Sequence, residues 1–180
     1  WDAPIITERI CGVCPVSHGM AAVKALDAAG GIVPPTDGRI LRNLVLGANF
    51  VQSHILHFYL LAALDYAHGP NSAPWTPAWD VDMRSEALDG VVAAHLGQAI
   101  EARRRAHEMG AIFGGKMPSP HTYIPGGFTA VPSEERINDF KGHLNWLLDF
   151  TNNVYIPDVL ALSGIYKDYF DIGQGCGKLL

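Results

Sequence analysis

Leu41-Arg-Asn-Leu-Val-Leu-Gly-Ala-Asn-Phe-Val-Gln-Ser-His-Ile-Leu-His-Phe-Tyr-Leu-Leu-Ala62 places Leu41, Leu44, Ala48, Val51, Ile55, Tyr59 and Ala62 at the three-four spacing of one helix face. Asp37 is a suitable cap for the start of this helix, and Pro34-Pro35 forces an extended connection before it. No Asp, Glu, Lys or Arg occurs from Asn43 to Leu64, a stretch long enough to cross a bilayer. Asn43, Asn49, Gln52, Ser53, His54 and His57 within it argue for a buried helix instead, because protein partners satisfy such groups and hydrocarbon does not. No transmembrane segment is therefore expected. The second half of the helix is apolar nearly all round, which predicts a central position.

Working outward, Ser17 can cap a short helix through His18, Val23 and Leu26 that stops at Gly30-Gly31. From His68 to Asp82 the chain turns to Pro70, Pro74 and Pro77 with Trp75 and Trp79, a loop whose aromatics are expected to pin it to the body. Ser85 or Asp82 opens a third helix with a Leu88, Val91, Val92, Leu96, Ala99, Ile100 stripe that ends before Gly110. Arg103, Arg104 and Arg105 then fall on its last turns, where favourable charge at the helix C-terminus and burial of their aliphatic stems explain them. Ser133 with Glu134 and Glu135 opens a fourth helix through Ile137, Phe140, Leu144, Leu147 and Leu148, interrupted by Pro157. With no alternating strand pattern and no internal repeat, the expectation is a mainly α bundle with irregular Pro/Gly-rich loops, its helices spanning about 37–157.

The 180 residues carry 13 Lys and Arg against 18 Asp and Glu, a net charge of −5 that gives no footprint for nucleic acid. Hydrophobic residues reach 48% while charged ones stop at 17%, where roughly 25% is usual. So small a polar complement predicts that much of the surface is covered by other protein. No basic, apolar and cleavable leader opens the chain, and its first residue is Trp1, so it reads as internal to a longer protein, a single partial domain over 1–180.

The densest chemistry lies in Glu8-Arg-Ile-Cys11-Gly-Val-Cys14-Pro-Val-Ser-His18. Two cysteines three apart can turn both sulfurs to one metal, Gly12 frees the backbone to bend, and Arg9 with the following helix N-terminus favours thiolate over thiol. His18 is spaced to hydrogen-bond the Cys14 sulfur. The pair alone fits a metal site, a structural zinc site, a thioredoxin-like dithiol or two buried cysteines. Zinc lacks a second ligand pair at ribbon spacing, and the thioredoxin reading lacks a sheet. Elsewhere, His54 and His57 read as hydrogen-bonded core histidines, and Glu8 as an exposed helix-start or ion-pairing carboxylate. Gly114-Gly115-Lys116 and Pro125-Gly126-Gly127 frame a loop holding His121, in which backbone passes close to something bulky.

Arg9-Ile-Cys-Gly-Val-Cys-Pro-Val-Ser-His18 resembles the R-x-C-G-x-C-x-x-x-H metal motif of nickel-iron hydrogenase large subunits. Three further stretches resemble the same family in order: His54-Ile-Leu-His-Phe-Tyr-Leu-Leu with Leu64-Asp65, Arg104-Arg-Ala-His-Glu-Met-Gly-Ala-Ile-Phe-Gly-Gly-Lys116, and Tyr166-Lys-Asp-Tyr-Phe-Asp-Ile-Gly173. The resemblance covers nearly the whole chain and implies that family's long-helix bundle. It implies reversible oxidation of dihydrogen at a buried nickel-iron centre whose iron carries carbon monoxide and cyanide. Cys11 would be a terminal nickel ligand, Cys14 a bridge between nickel and iron, and His18 a hydrogen-bond partner of that bridge, with Arg9 beside them. Electrons would pass to the iron-sulfur clusters of a small subunit. The compartment implied is the periplasm or a membrane reached through a partner, rather than free cytoplasm.

The family's loop reads Gly-Gly-Lys-x-Pro-His, where this chain has Ser119, with His121 two residues on. The family's C-terminal Asp-Pro-Cys-x-x-Cys is not among these residues, and Cys176 stands in Gly-Gln-Gly-Cys-Gly without it. Nor are its early proton-transfer glutamate and its downstream arginine. With two of four thiolates visible, the alternative is a non-catalytic, hydrogenase-derived scaffold subunit of a larger redox complex.

Overall fold

The protein is described by a computed structural model over residues 1–68, 72–73, 76, 84–173 and 175–177. Helices α1 (Ala3–Thr7), α2 (Pro15–Gly30), α3 (Thr36–His57), α4 (Glu86–Gly114), α5 (Glu134–Phe150) and α6 (Ile156–Ile165) dominate. A two-residue antiparallel pair, β1 (Tyr123–Ile124) with β2 (Gly127–Phe128), closes the loop between α4 and α5. α3 packs chiefly on α4, α4 on α5, and α2 against both α1 and α3. The expected mainly α bundle is what forms.

The α3 stripe is inward as read: Leu41, Ala48, Ile55 and Tyr59 are buried against Leu96, Ala99, Ala102, Ala106 and Phe113 of α4. Its second half is less central than expected, because His54, His57 and Leu61 are exposed on its other side. By length and composition Thr36–Asp65 is apolar enough to cross a membrane. Within the fold its polar Asn49 and Gln52 are buried and bonded to each other at 3.2 Å.

Several boundaries differ from the sequence reading. α2 starts at Pro15, with Cys14 rather than Ser17 in the capping position, since proline tolerates the first helical turn. It ends at Gly31 in the left-handed region (φ 62°), as Gly30-Gly31 suggested. α3 begins at Thr36 behind Pro35, so Asp37 lies inside the first turn, where its charge suits the helix dipole. α4 runs four residues past Gly110 to Gly114, because Met109 and Phe113 continue its buried face. Arg104 and Arg105 are therefore not terminal: Arg104 pairs with Glu101 and Glu108, and Arg105 pairs with Glu101 and lies over the Trp146 ring, 4.7 Å from its centroid. Ser85 and Ser133 hold the capping positions, and the Ser133 hydroxyl accepts from Arg136 N–H. Pro70, Pro74, Trp75, Pro77, Trp79 and Asp82, the loop and its anchors, lie outside the described residues.

Pro157 acts a turn earlier than expected. α5 gives way at Thr151–Tyr155 to one wide, π-type turn, since the proline ring crowds the carbonyl four residues back at Asn153. A second wide turn, Phe58–Ala62, continues α3 beside it. There the Tyr59 hydroxyl donates to Asp158 at 2.5 Å, and His95 Nδ1 lies 2.7 Å from the same oxygen.

One buried ion pair joins the elements. Arg42 of α3 donates to Asp27 of α2 at 2.7 Å, to the Ile124 carbonyl at 2.7 Å and to the Gly127 carbonyl at 3.0 Å. Asp27 also accepts from Gly126 N–H, and Tyr123 donates to the Arg42 carbonyl. Burial works to raise the Asp27 pKa, but the Arg42 and Gly126 hydrogen bonds outweigh it and hold the carboxyl below its ordinary 3.8. The lowered value contributes stability that is present above about pH 4 and lost as pH falls through the depressed pKa. Asp27→Ala strands the Arg42 charge and is expected to cost about 3–5 kcal/mol. Denaturant unfolding of the protein checks it, and an unchanged midpoint would contradict the role assigned to the pair.

Candidate metal centre

The tight helical turn Glu8–Ile10 hands the chain to Cys11 in extended backbone (φ −137°, ψ 133°), and Cys14 then stands at the N-terminus of α2. The Cys14 N–H donates to Cys11 Sγ at 3.2 Å, while the Cys14 carbonyl accepts from Ser17 and His18 N–H. From α3, Gln52 Nε2 donates to the Val13 carbonyl at 3.2 Å and ties the turn between the cysteines to the bundle. Local turn and helix start thus orient the sulfurs, and one buried amide holds the turn in place.

The ligand atoms of Cys11, Cys14 and His18 lie within 4.8 Å of one another, all three residues partly exposed. Among the described residues it is the one group of three or more such donors. A hydrogen bond from the Cys14 thiol, with backbone N–H groups of Cys14 and Val13, pulls the Cys11 pKa below the ordinary thiol value. The same shared proton, helped by burial and the Cys11 charge, pushes Cys14 up. Two soft sulfurs close enough to share a proton, with an imidazole beside them, fit a thiophilic ion such as nickel or iron.

The family model described as nickel-dependent hydrogenase matches residues 1–74 and 69–180. The chain belongs to the nickel-dependent hydrogenase family. It is 40% identical to the periplasmic NiFeSe hydrogenase large subunit of Desulfomicrobium baculatum, over 97% of this chain and 36% of that one. To the uptake hydrogenase large subunit of Rhizobium leguminosarum bv. viciae it is 27% identical, over 98% and 39%. The reduced Ni-Fe-Se hydrogenase structure from Desulfovibrio vulgaris Hildenborough superposes with a TM-score of 0.92 at 44% identity, over 97% of this chain and 37% of that one. The chain thus spans a little over a third of the relatives it matches, and its fold is the helical bundle of hydrogenase large subunits.

In this hydrogenase segment the other sequence-derived residues fall as follows. Arg9 is half exposed, its guanidinium bonding the Ile5 carbonyl at 2.7 Å and Glu8 at 3.3 Å. Glu8 is not the exposed carboxylate expected: it does pair with Arg9, but it is 1% exposed. Gly12 has room for a side chain, so no tight bend requires it. His54 and His57, expected in the core, are on the exposed side of α3, because the helix is covered on one face only. The glycine loop is crowded as read, with the His121 ring 2.7 Å from where a Gly115 Cβ would stand. His121 and Cys176 are both exposed, and neither is among the cluster's donors. Gln52 is the residue whose role sequence reasoning missed, and the signal was an amide at a buried register of an apolar helix. In metal-freed protein, iodoacetamide is expected to alkylate Cys11 ahead of Cys14 by peptide mapping, whereas faster labelling of Cys14 would contradict the assignment of the shared proton.

Proposed function

We propose that this chain is part of the catalytic large subunit of a nickel-iron hydrogenase, which oxidises dihydrogen reversibly to protons and electrons. The observation that carries this reading is the Cys11–Cys14–His18 cluster, set at a helix N-terminus in a chain of the nickel-dependent hydrogenase family. Cys11 would hold nickel terminally, Cys14 would bridge nickel and iron, and His18 would hydrogen-bond the Cys14 sulfur. When bound, the nickel-iron group supplies a two-electron acceptor for the splitting of dihydrogen.

The chain's own residues handle charge and protons. In the metal-free chain the Cys14 thiol donates to Cys11, the more acidic of the two sulfurs, and metal would displace that proton and take both as thiolates. The α2 N-terminus and the Cys14 and Val13 N–H groups stabilise negative sulfur, and Gln52 keeps the turn from relaxing. Carbon monoxide and cyanide on the iron, iron-sulfur clusters in a small subunit, and a periplasmic or partner-held location belong to the same proposal. The Desulfomicrobium relative is named as periplasmic, which supports the location. We take residues 1–180 as one part of a larger domain, with the motif at 9–18 and α3 as a bundle helix rather than a membrane span.

Cys11→Ser in the assembled enzyme is expected to abolish dihydrogen-dependent dye reduction and deplete nickel. Wild-type activity in that variant would overturn the ligand assignment, and a native complex without nickel or iron would point to the scaffold subunit. His18→Ala is expected to retain metal and slow turnover, and unchanged kinetics and infrared bands would make His18 structural only.

A further inference from the structure

Glu8 is the one buried acid beside the cluster that the function above leaves unused. It is 1% exposed, and its Oε1 finds no hydrogen-bond partner among the described residues. A Cβ on Gly19 would stand 2.5 Å from that oxygen, 3.1 Å from Glu8 Cγ and 3.2 Å from Cδ. The carboxyl therefore lodges in a notch that only a glycine leaves, on the residue that follows His18. Its other oxygen accepts from Arg9 Nη1 at 3.3 Å. A methionine or leucine would fill the same notch without an unsatisfied oxygen, so packing alone does not account for a carboxylic acid there.

We propose that Glu8 is a positioning residue for the Cys11–Cys14–His18 cluster: lodged over Gly19 and paired with Arg9, its carboxyl holds the turn that carries Cys11 against the helix that carries Cys14 and His18. The proposal rests on the reading of Cys11 and Cys14 as metal ligands. The charged and titratable groups facing Glu8 are Arg9 from its own turn, Lys116 from the loop after α4 and Tyr123 from β1. α2 presents the bare Gly19. Burial pushes the Glu8 carboxyl up to about 7, against the pull of Arg9 and Lys116.

The test uses the assembled enzyme with Glu8→Gln, Glu8→Ala and Gly19→Ala, reading nickel content by metal analysis. Glu8→Gln, which keeps the shape that fills the notch, is expected to retain nickel. Glu8→Ala and Gly19→Ala are expected to lose most of their nickel, one by emptying the notch and the other by filling it. A Glu8→Gln enzyme that loses nickel as Glu8→Ala does, or a Glu8→Ala enzyme with full nickel, would overturn the proposal. Cys11→Ser, prepared in parallel, separates the two readings. If it keeps nickel, the ligand assignment fails; if it alone loses nickel, only the role of Glu8 fails.

Discussion

The Arg42–Asp27 pair is the constraint on which the remaining geometry depends. A guanidinium 4% exposed must find partners for its donors inside the protein, and it finds them on α2, at the Ile124 carbonyl and at the Gly127 carbonyl. Those partners come from α2 and from the β1–β2 turn, so satisfying one buried charge on α3 fixes how α2, α3 and that turn sit together. α2 carries Cys14 and His18 on its first turn, and α3 carries Gln52. Setting the helix pair therefore also sets the reach from Gln52 to the turn between the cysteines.

The cluster inherits its order from that scaffold. Cys11 comes from extended backbone and Cys14 from a helix start, and each is oriented by hydrogen bonds to the main chain. At the other end of α3, Tyr59, His95 and Asp158 make a second buried polar contact that joins α3, α4 and α6 across the two wide turns. A long helix tied at both ends is a rigid support for a site on loops and helix starts.

Much of the fold was legible because helical period is a local property. Leu41, Ala48, Ile55 and Tyr59 on α3, and Leu88, Val92, Leu96 and Ala99 on α4, all face inward as their spacing requires. Period does not say how many faces of a helix are covered, which is why His54 and His57 were placed in the core. Nor does it mark the last turn when apolar residues run past a glycine, so α4 and its arginines were cut short at Gly110. The site was legible as a motif because its three donors fall within eight residues. Its supports were not: Asp27 and Arg42 are 15 residues apart, Arg42 and Gly127 are 85, and Gln52 and Val13 are 39. Such pairings exist only after the helices pack. Glu8 was misjudged for the same reason, since its burial depends on Gly19 of the neighbouring helix.

Cys11 and Cys14 together are the proposed nickel ligands. Anomalous diffraction at the nickel edge, from crystals of the whole enzyme containing this chain, tests this assignment directly. A nickel peak about 2.3 Å from both sulfurs is expected. A peak elsewhere, or two cysteines without metal between them, would contradict it.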